Sequence, residues 1–118
     1  MLRIDYIKGK GRGVIAAKDI KKGAIIECSQ VIVIPPDELM YIFKTVLINY
    51  IFSWGSNSSA IALGYGSLYN HSYHPNATYF TRIKDMCIEF QALENIQEGQ
   101  EITIDYEWFP NGLCLRYP

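Results

Sequence analysis

The chain has 118 residues, 49% of them hydrophobic and 14% aromatic, with a formal net charge of −1. That length suits one domain, 1–118, around a single core, and the near-neutral charge excludes a sequence-wide basic field for gripping nucleic acid directly. Cys28, Cys87 and Cys114 are odd in number, widely spaced and free of any C-x-x-C pair, which excludes a disulfide framework and a zinc ligand set and favours a soluble, intracellular, reducing setting.

In chain order, Met1 to Asp5 lacks the apolar stretch of a signal peptide. Gly9-Lys10-Gly11-Arg12-Gly13-Val14 follows. A dinucleotide-binding fingerprint would need a third glycine three positions after the second and a long helix beyond it. Val14 and Gly23 deny both, and a glycine-rich hairpin turn is the plain reading of the segment alone. Cys28 to Ile34 is a β-branched run stopped by Pro35-Pro36, which predicts a buried strand. Asp37-Glu38 then opens a segment with apolar residues at Leu39, Ile42, Phe43, Val46, Leu47 and Tyr50. That spacing predicts a helix within an inserted region of about 36–56, with the acids favouring its first turn. Lys44, Asn49 and Ser53 break this longest apolar region, which is too short and polar to span a bilayer, so no membrane partner is expected. Ser53 to Ser59 predicts a polar loop and Ala60 to Leu63 a short buried strand. Ala77 to Ile83 and Met86 to Leu93 flank Lys84-Asp85 as a hairpin, and Ile102 to Ile104 is the last strand. The fold is predicted to be mainly β, of short strands with one small helical insertion.

An internal echo supports a β-rich fold. Ala16, Asp19-Ile20, Gly23 and Ile26 can be laid on Ala92, Asn95-Ile96, Gly99 and Ile102. Each copy offers a buried isoleucine, a glycine turn tolerant of positive φ, and a strand beginning just beyond it.

Two further segments are dense in chemistry. One is Asn70-His71-Ser72-Tyr73-His74-Pro75-Asn76, and the other is Gly99-Gln100-Glu101-Ile102-Thr103-Ile104-Asp105-Tyr106. With the glycine-rich start, they resemble in order and separation the signature segments of the SET-domain protein lysine methyltransferases. The match runs from about residue 4 to 109 and is similar to a minimal, single-domain SET protein of viral or bacterial type. The resemblance implies a β-clip fold with a knot-like C-terminal crossing, in which the N-H-S segment and the last strand meet.

The resemblance also implies S-adenosylmethionine as cofactor, leaving S-adenosylhomocysteine as product. Lys10, Gly11 and Arg12 would approach the methionine end through backbone that a Cβ would hold away. Asn70 and His71 would address the cofactor with polar groups; taken alone, they read rather as a turn cap or bridge and a satisfied buried histidine, and it is the motif that reverses this. His71 and His74 stand at i, i+3, yet no carboxylate or cysteine pattern completes a metal site, so no metal is expected. Tyr65 is a further cofactor candidate. Trp108, a cofactor-side candidate, and Phe109, a substrate-side one, are the aromatics of which one would pack on the adenine or close the lysine channel, in a short aromatic C-terminal segment, 107–118, that lacks a zinc-binding cysteine cluster. Tyr50 would line the substrate groove, while Tyr79 and Ile104 would set how many methyl groups the pocket admits.

Tyr106 would be the catalytic tyrosine. A lysine amine, with an unperturbed pKa of about 10.4, must lose its proton to attack a methyl group. Burial beside a cationic sulfonium favours the neutral amine. A phenol and backbone carbonyls then orient its lone pair, and alignment of this kind is worth roughly 7–11 kcal/mol. The implied partner is a lysine-containing protein or a histone tail, met in the cytoplasm or, for a chromatin target, in a host nucleus. A homodimer could complete the substrate groove. The sequence leaves two alternatives open: a catalytically silent SET-like module that binds a peptide, and a non-enzymatic β-clip protein.

Overall fold

The computed structural model describes residues 1–106. In chain order the strands are β1 (Leu2–Ile7), β2 (Gly11–Ala16), β3 (Ile25–Ile34), β4 (Ile51–Trp54), β5 (Ser58–Ala62), β6 (Asn70–His71), β7 (Ala77–Arg82), β8 (Cys87–Ala92) and β9 (Glu101–Ile104), with one helical turn, α1 (Leu39–Ile42), between β3 and β4. They form a four-stranded sheet in the order β1-β2-β9-β6 and a five-stranded sheet in the order β4-β5-β3-β8-β7. All described pairings are antiparallel except β6 with β9, where Asn70 lies opposite Thr103 and His71 opposite Ile104 in parallel register. The two motif segments thus meet by main-chain pairing, with β9 lying between β2 and β6.

The core lies between the sheets. Val14, Ala16, Ile102 and Ile104 from the first sheet pack with Phe52, Trp54, Ala60, Ile88 and Phe90 from the second. Alternation along each strand supplies these inward residues. Tyr69, fully buried, is the largest of the wholly enclosed side chains.

The internal echo has a three-dimensional counterpart. Ile20 and Ile96 form an isolated antiparallel bridge, each donating its N–H to the other's carbonyl at 2.7 and 2.8 Å. Around it the main-chain contacts pair off. Ala16 N–H donates to the Gln100 carbonyl and Ala92 N–H to the Ala24 carbonyl, each at 2.9 Å; Gly99 N–H donates to Ala16 at 2.8 Å and Gly23 N–H to Ala92 at 2.9 Å. Side chains repeat the pattern, since Asn95 Oδ1 accepts from Lys22 N–H at 2.9 Å and Asp19 Oδ1 from Glu98 N–H at 2.8 Å. Gly23 and Gly99 share φ values of 86° and 89°. The two copies are related by a local pseudo-twofold axis through the Ile20–Ile96 bridge.

Two expectations are corrected. The helix anticipated from Asp37 to Tyr50 is one α-turn flanked by 3₁₀ turns at Pro36–Glu38 and Val46–Tyr50, and none of these residues is buried. Helices draw most of their stability from packing an apolar face, and here Met40, Tyr41, Phe43 and Val46 are exposed. Thr45 is extended and restarts the chain, its Oγ1 donating to the Ile42 carbonyl and accepting from Leu47 N–H. The polar loop expected over Ser53 to Ser59 is instead a hairpin. β4 runs to Trp54, β5 begins at Ser58, and Trp54 lies opposite Ser58. Trp54 is buried, so core burial outweighs the surrounding serines. The Lys84-Asp85 hairpin is present, its turn closed by Met86 at φ 54°.

Candidate functional site

The site begins at the β1–β2 turn, where Gly9 and Gly11 adopt φ values of 83° and 86°, a conformation glycine enters without a Cβ penalty. The turn presents Lys10, whose Nζ lies 2.9 Å from Glu101 Oε1 at the start of β9. The other Glu101 oxygen accepts from Asn70 Nδ2 at 2.7 Å, and Nδ2 also donates to the Arg12 carbonyl at 2.9 Å. One carboxylate therefore ties the glycine turn to the Asn70 strand. Gly13 makes this possible. A Cβ there would stand 2.6 Å from Ile7 Cγ1, 2.7 Å from Glu101 Oε2 and 3.0 Å from Asn70 Nδ2.

Asn76, at the end of the same motif, works as a piece of strand. Its Nδ2 donates to the Glu101 carbonyl and its Oδ1 accepts from Thr103 N–H, both at 2.9 Å. Ser72 N–H donates to the Ile104 carbonyl at 2.9 Å. The N-H-S segment is thereby fastened along β9.

Tyr106 follows β9 directly. Its hydroxyl donates to the Tyr69 carbonyl at 2.6 Å, and its backbone N–H donates to His71 Nδ1 at 2.9 Å. The Tyr106 and His71 rings lie 5.1 Å apart. An Nδ1 that accepts a hydrogen bond belongs to a neutral imidazole protonated at Nε2. The charge balance agrees. Burial holds the His71 pKa below its ordinary value and Lys10 adds to that, against an opposing pull from Asp105, whose Oδ1 lies 3.7 Å from Nδ1.

These elements border a polar pocket of about 120 Å³ lined by Lys10, Arg12, Asn49, Tyr50, Ser67, Leu68, Asn70 and Tyr106. A more apolar recess of about 320 Å³ adjoins it, sharing Arg12, Tyr50, Ser67 and Leu68 and adding Leu47, Ile61 and Leu63. Of the residues singled out in the sequence, Lys10, Arg12, Tyr50, Asn70 and Tyr106 converge on the polar pocket. Gly11 shapes the turn below it, and His71 supports Tyr106.

Others stand elsewhere. Tyr65 borders neither pocket, and its hydroxyl donates to the Leu2 carbonyl at 3.3 Å. Ile104 is fully buried in the core, and Tyr79 packs edge-on against Phe52 at 5.2 Å. Trp108, Phe109 and Cys114 lie outside the described residues. Glu101, Gly13 and Asn76 were not among the candidate site residues, although all three stand inside the quoted motifs. The usable signal was the single acidic residue of the G-x-E strand, brought by β9 against a glycine. Among the described residues no cluster of histidine, cysteine and acidic side chains could hold a metal ion, and no helix is long and apolar enough to cross a membrane.

Comparison with known proteins bears on this arrangement. A family model for the SET domain matches residues 11–107. The Schizosaccharomyces pombe histone-lysine N-methyltransferase specific for lysine 37 of H3 is 33% identical over 112 residues, covering 92% of this chain and 76% of that protein. The Neurospora crassa histone-lysine N-methyltransferase set9 is 34% identical over 87 residues, which span 72% of this chain but only 11% of that protein. A crystal structure from Plasmodium falciparum, of a protein described as a candidate histone methyltransferase, superposes with a TM-score of 0.74 at 31% identity, covering 90% of this chain and 96% of that one. The ctPRC2 complex contains a chain that superposes with a TM-score of 0.76 at 20% identity, over 90% of this chain and 14% of its own, a likeness of fold alone. The family match reaches from the glycine turn to the residue after Tyr106, and the chain belongs to the SET-domain family.

Proposed function

We propose that this protein transfers methyl groups from S-adenosylmethionine to the ε-amine of lysine in a protein substrate, with histone H3 the first candidate because a relative matched over most of both chains is named for it. The observation that carries the reading is the placement of the Tyr106 hydroxyl, fixed on a main-chain carbonyl, in one pocket with Arg12 and Asn70.

The residues present fit the cofactor. Both amide hydrogens of Asn70 are committed, to Arg12 and Glu101, so the side chain offers its oxygen, an acceptor suited to an ammonium group. Arg12 lines the same pocket, and its guanidinium is of a kind suited to a carboxylate. Gly13, where a Cβ would collide with Asn70 and Glu101, keeps this wall in place. The adjoining recess suits a bulkier, less polar body, and small-molecule sites typically occupy about 300–1,000 Å³. When bound, S-adenosylmethionine supplies the methyl group and a cationic sulfonium.

The chain's own contribution is alignment. A lysine reaching Tyr106 leaves water for a pocket that also holds Arg12, and both burial and a nearby positive charge favour the neutral amine. The phenol orients that amine, while the Tyr69 carbonyl holds its hydroxyl and His71 holds the Tyr106 backbone N–H. No strong base is required of the site.

Transfer of labelled methyl to histone H3 and to a panel of basic proteins tests the activity. Tyr106→Phe is expected to keep cofactor binding and lower turnover by on the order of 10²-fold. Asn70→Ala is expected to raise the cofactor dissociation constant by about tenfold or more, the worth of a hydrogen bond to a charged group. Cofactor binding with no transfer to any protein would sink the enzymatic reading.

A further inference from the structure

Glu27 lies on β3, outside both pockets, and nothing in the proposed mechanism uses it. Its carboxylate spans the two ends of the segment that delivers the site's main chain. Oε2 accepts from Tyr65 N–H at 2.8 Å, and Oε1 accepts from the Tyr69 hydroxyl at 2.8 Å. Between those anchors lie Ser67 and Leu68, which line the pockets. The far anchor carries the carbonyl that receives the Tyr106 hydroxyl at 2.6 Å.

Three independent features place Glu27 there. The register between β3 and β8 slips at this point, Ile25 facing Gln91 and Glu27 facing Phe90, so that two steps on β3 match one on β8. Such a bulge bends a strand and re-aims a side chain. Gly64, at φ 65°, leaves the space the carboxylate fills, since a Cβ there would lie 2.5 Å from Glu27 Oε2. Tyr69 is enclosed and its ring packs on Phe90 at 4.6 Å, so its hydroxyl meets Glu27 inside the protein. Burial and the neighbouring carboxylate push the Tyr69 pKa far above its ordinary value, which keeps the phenol a donor at every working pH.

From this geometry we infer that Glu27 is a positioning residue for methyl transfer: by bracing Tyr65 and Tyr69 it fixes the Tyr69 carbonyl on which the Tyr106 hydroxyl is held. The inference rests on the reading of Tyr106 as catalytic. An acceptor is needed on both oxygens at once, and only a carboxylate supplies two. Glutamine offers one oxygen and one NH₂, so with the oxygen kept on Tyr65 N–H the Tyr69 hydroxyl would have to turn from donor to acceptor, and with the amide reversed Tyr65 N–H would face a donor.

The test compares Glu27→Gln, Tyr69→Phe and Tyr106→Phe, alone and in pairs, in the full chain. Single-turnover methylation of histone H3, or of whichever panel protein accepts methyl, is measured beside calorimetric titration with S-adenosylmethionine. Glu27→Gln is expected to lower the transfer rate by on the order of tenfold and to leave cofactor affinity within about twofold. In the Tyr106→Phe background, with no hydroxyl left to hold, that penalty should nearly vanish, as coupled residues require. A second readout needs no activity: the phenol-carbon resonance of Tyr106, in selectively labelled protein, should move in Glu27→Gln and in Tyr69→Phe. The latter keeps the ring on Phe90 and serves if Glu27→Gln does not fold. An unmoved resonance, or a rate penalty equal in both backgrounds, overturns the role of Glu27. Parental turnover in Tyr106→Phe overturns the catalytic reading instead, while the resonance still reports on Glu27.

Discussion

At the scale of single residues, the site depends on two small demands. Gly13 is needed for what it lacks. Gly13→Ala would press on Ile7, Glu101 and Asn70 together, and overpacking of this kind typically costs about 1–3 kcal/mol. Thermal melting should register that loss, and cofactor titration should show weaker binding because Asn70 is displaced. His71 makes a demand on pH. Its folded-state pKa is depressed, so the unfolded chain binds the extra proton more readily and stability rises with pH. The contribution is complete above the ordinary histidine value of about 6.5 and is lost as pH falls from there toward the lowered folded value. Protonated Nδ1 can no longer accept Tyr106 N–H, so methyl transfer should fall at the acidic end of that interval, around the lowered folded value. A His71→Gln variant whose melting temperature and activity follow the parental pH curve would remove His71 from that role. Polar residues in the motifs were legible because chemistry restricts their types. Glu27 was not, since a lone glutamate in an apolar strand looks like solvent-facing charge until the bulge and Gly64 are seen.

At the scale of elements, strands were read more easily than the insertion. β3 and β9 announce themselves through β-branched residues bounded by a proline pair or a glycine, β5 through the glycines that follow it, and β7 and β8 through the Lys84-Asp85 turn. The segment from Asp37 to Tyr50 carries helical spacing, yet among the described residues Leu39, Ile42, Ile48 and Tyr50 are only half-buried, and Met40, Tyr41, Val46 and Leu47 are exposed. Periodicity alone does not report whether a partner surface exists. The join between β9 and the N-H-S segment gives a sharper test. Asn76→Ala would strip the Glu101 carbonyl and Thr103 N–H of their partner. Each part-buried main-chain group left unpaired costs about 1–3 kcal/mol, so the variant should melt well below the parent. Unchanged melting would mean that water replaces the amide at no cost.

At the scale of the whole molecule, the pseudo-twofold axis through Ile20 and Ile96 binds the early strands to the late ones. Asp19 and Asn95 cap each other's turns across it, so Asp19→Ala and Asn95→Ala should lower stability by similar amounts, about 1 kcal/mol each. Denaturant unfolding decides this, and a large loss from one with none from the other would make the symmetry a likeness of shape alone. The echo was visible in the sequence as matched isoleucines and glycines, but not that the two copies face each other, because a repeat fixes likeness and leaves contact open. The position of β9 between β2 and β6 has a consequence for how the protein comes into being. A chain still being synthesised can emerge with its glycine turn, its Asn70 and its Tyr69, yet it has no Glu101 to join them and no Tyr106 to act. Until β9 leaves the ribosome, the newborn protein holds an unfilled slot in its first sheet, and chemistry cannot begin before that strand arrives.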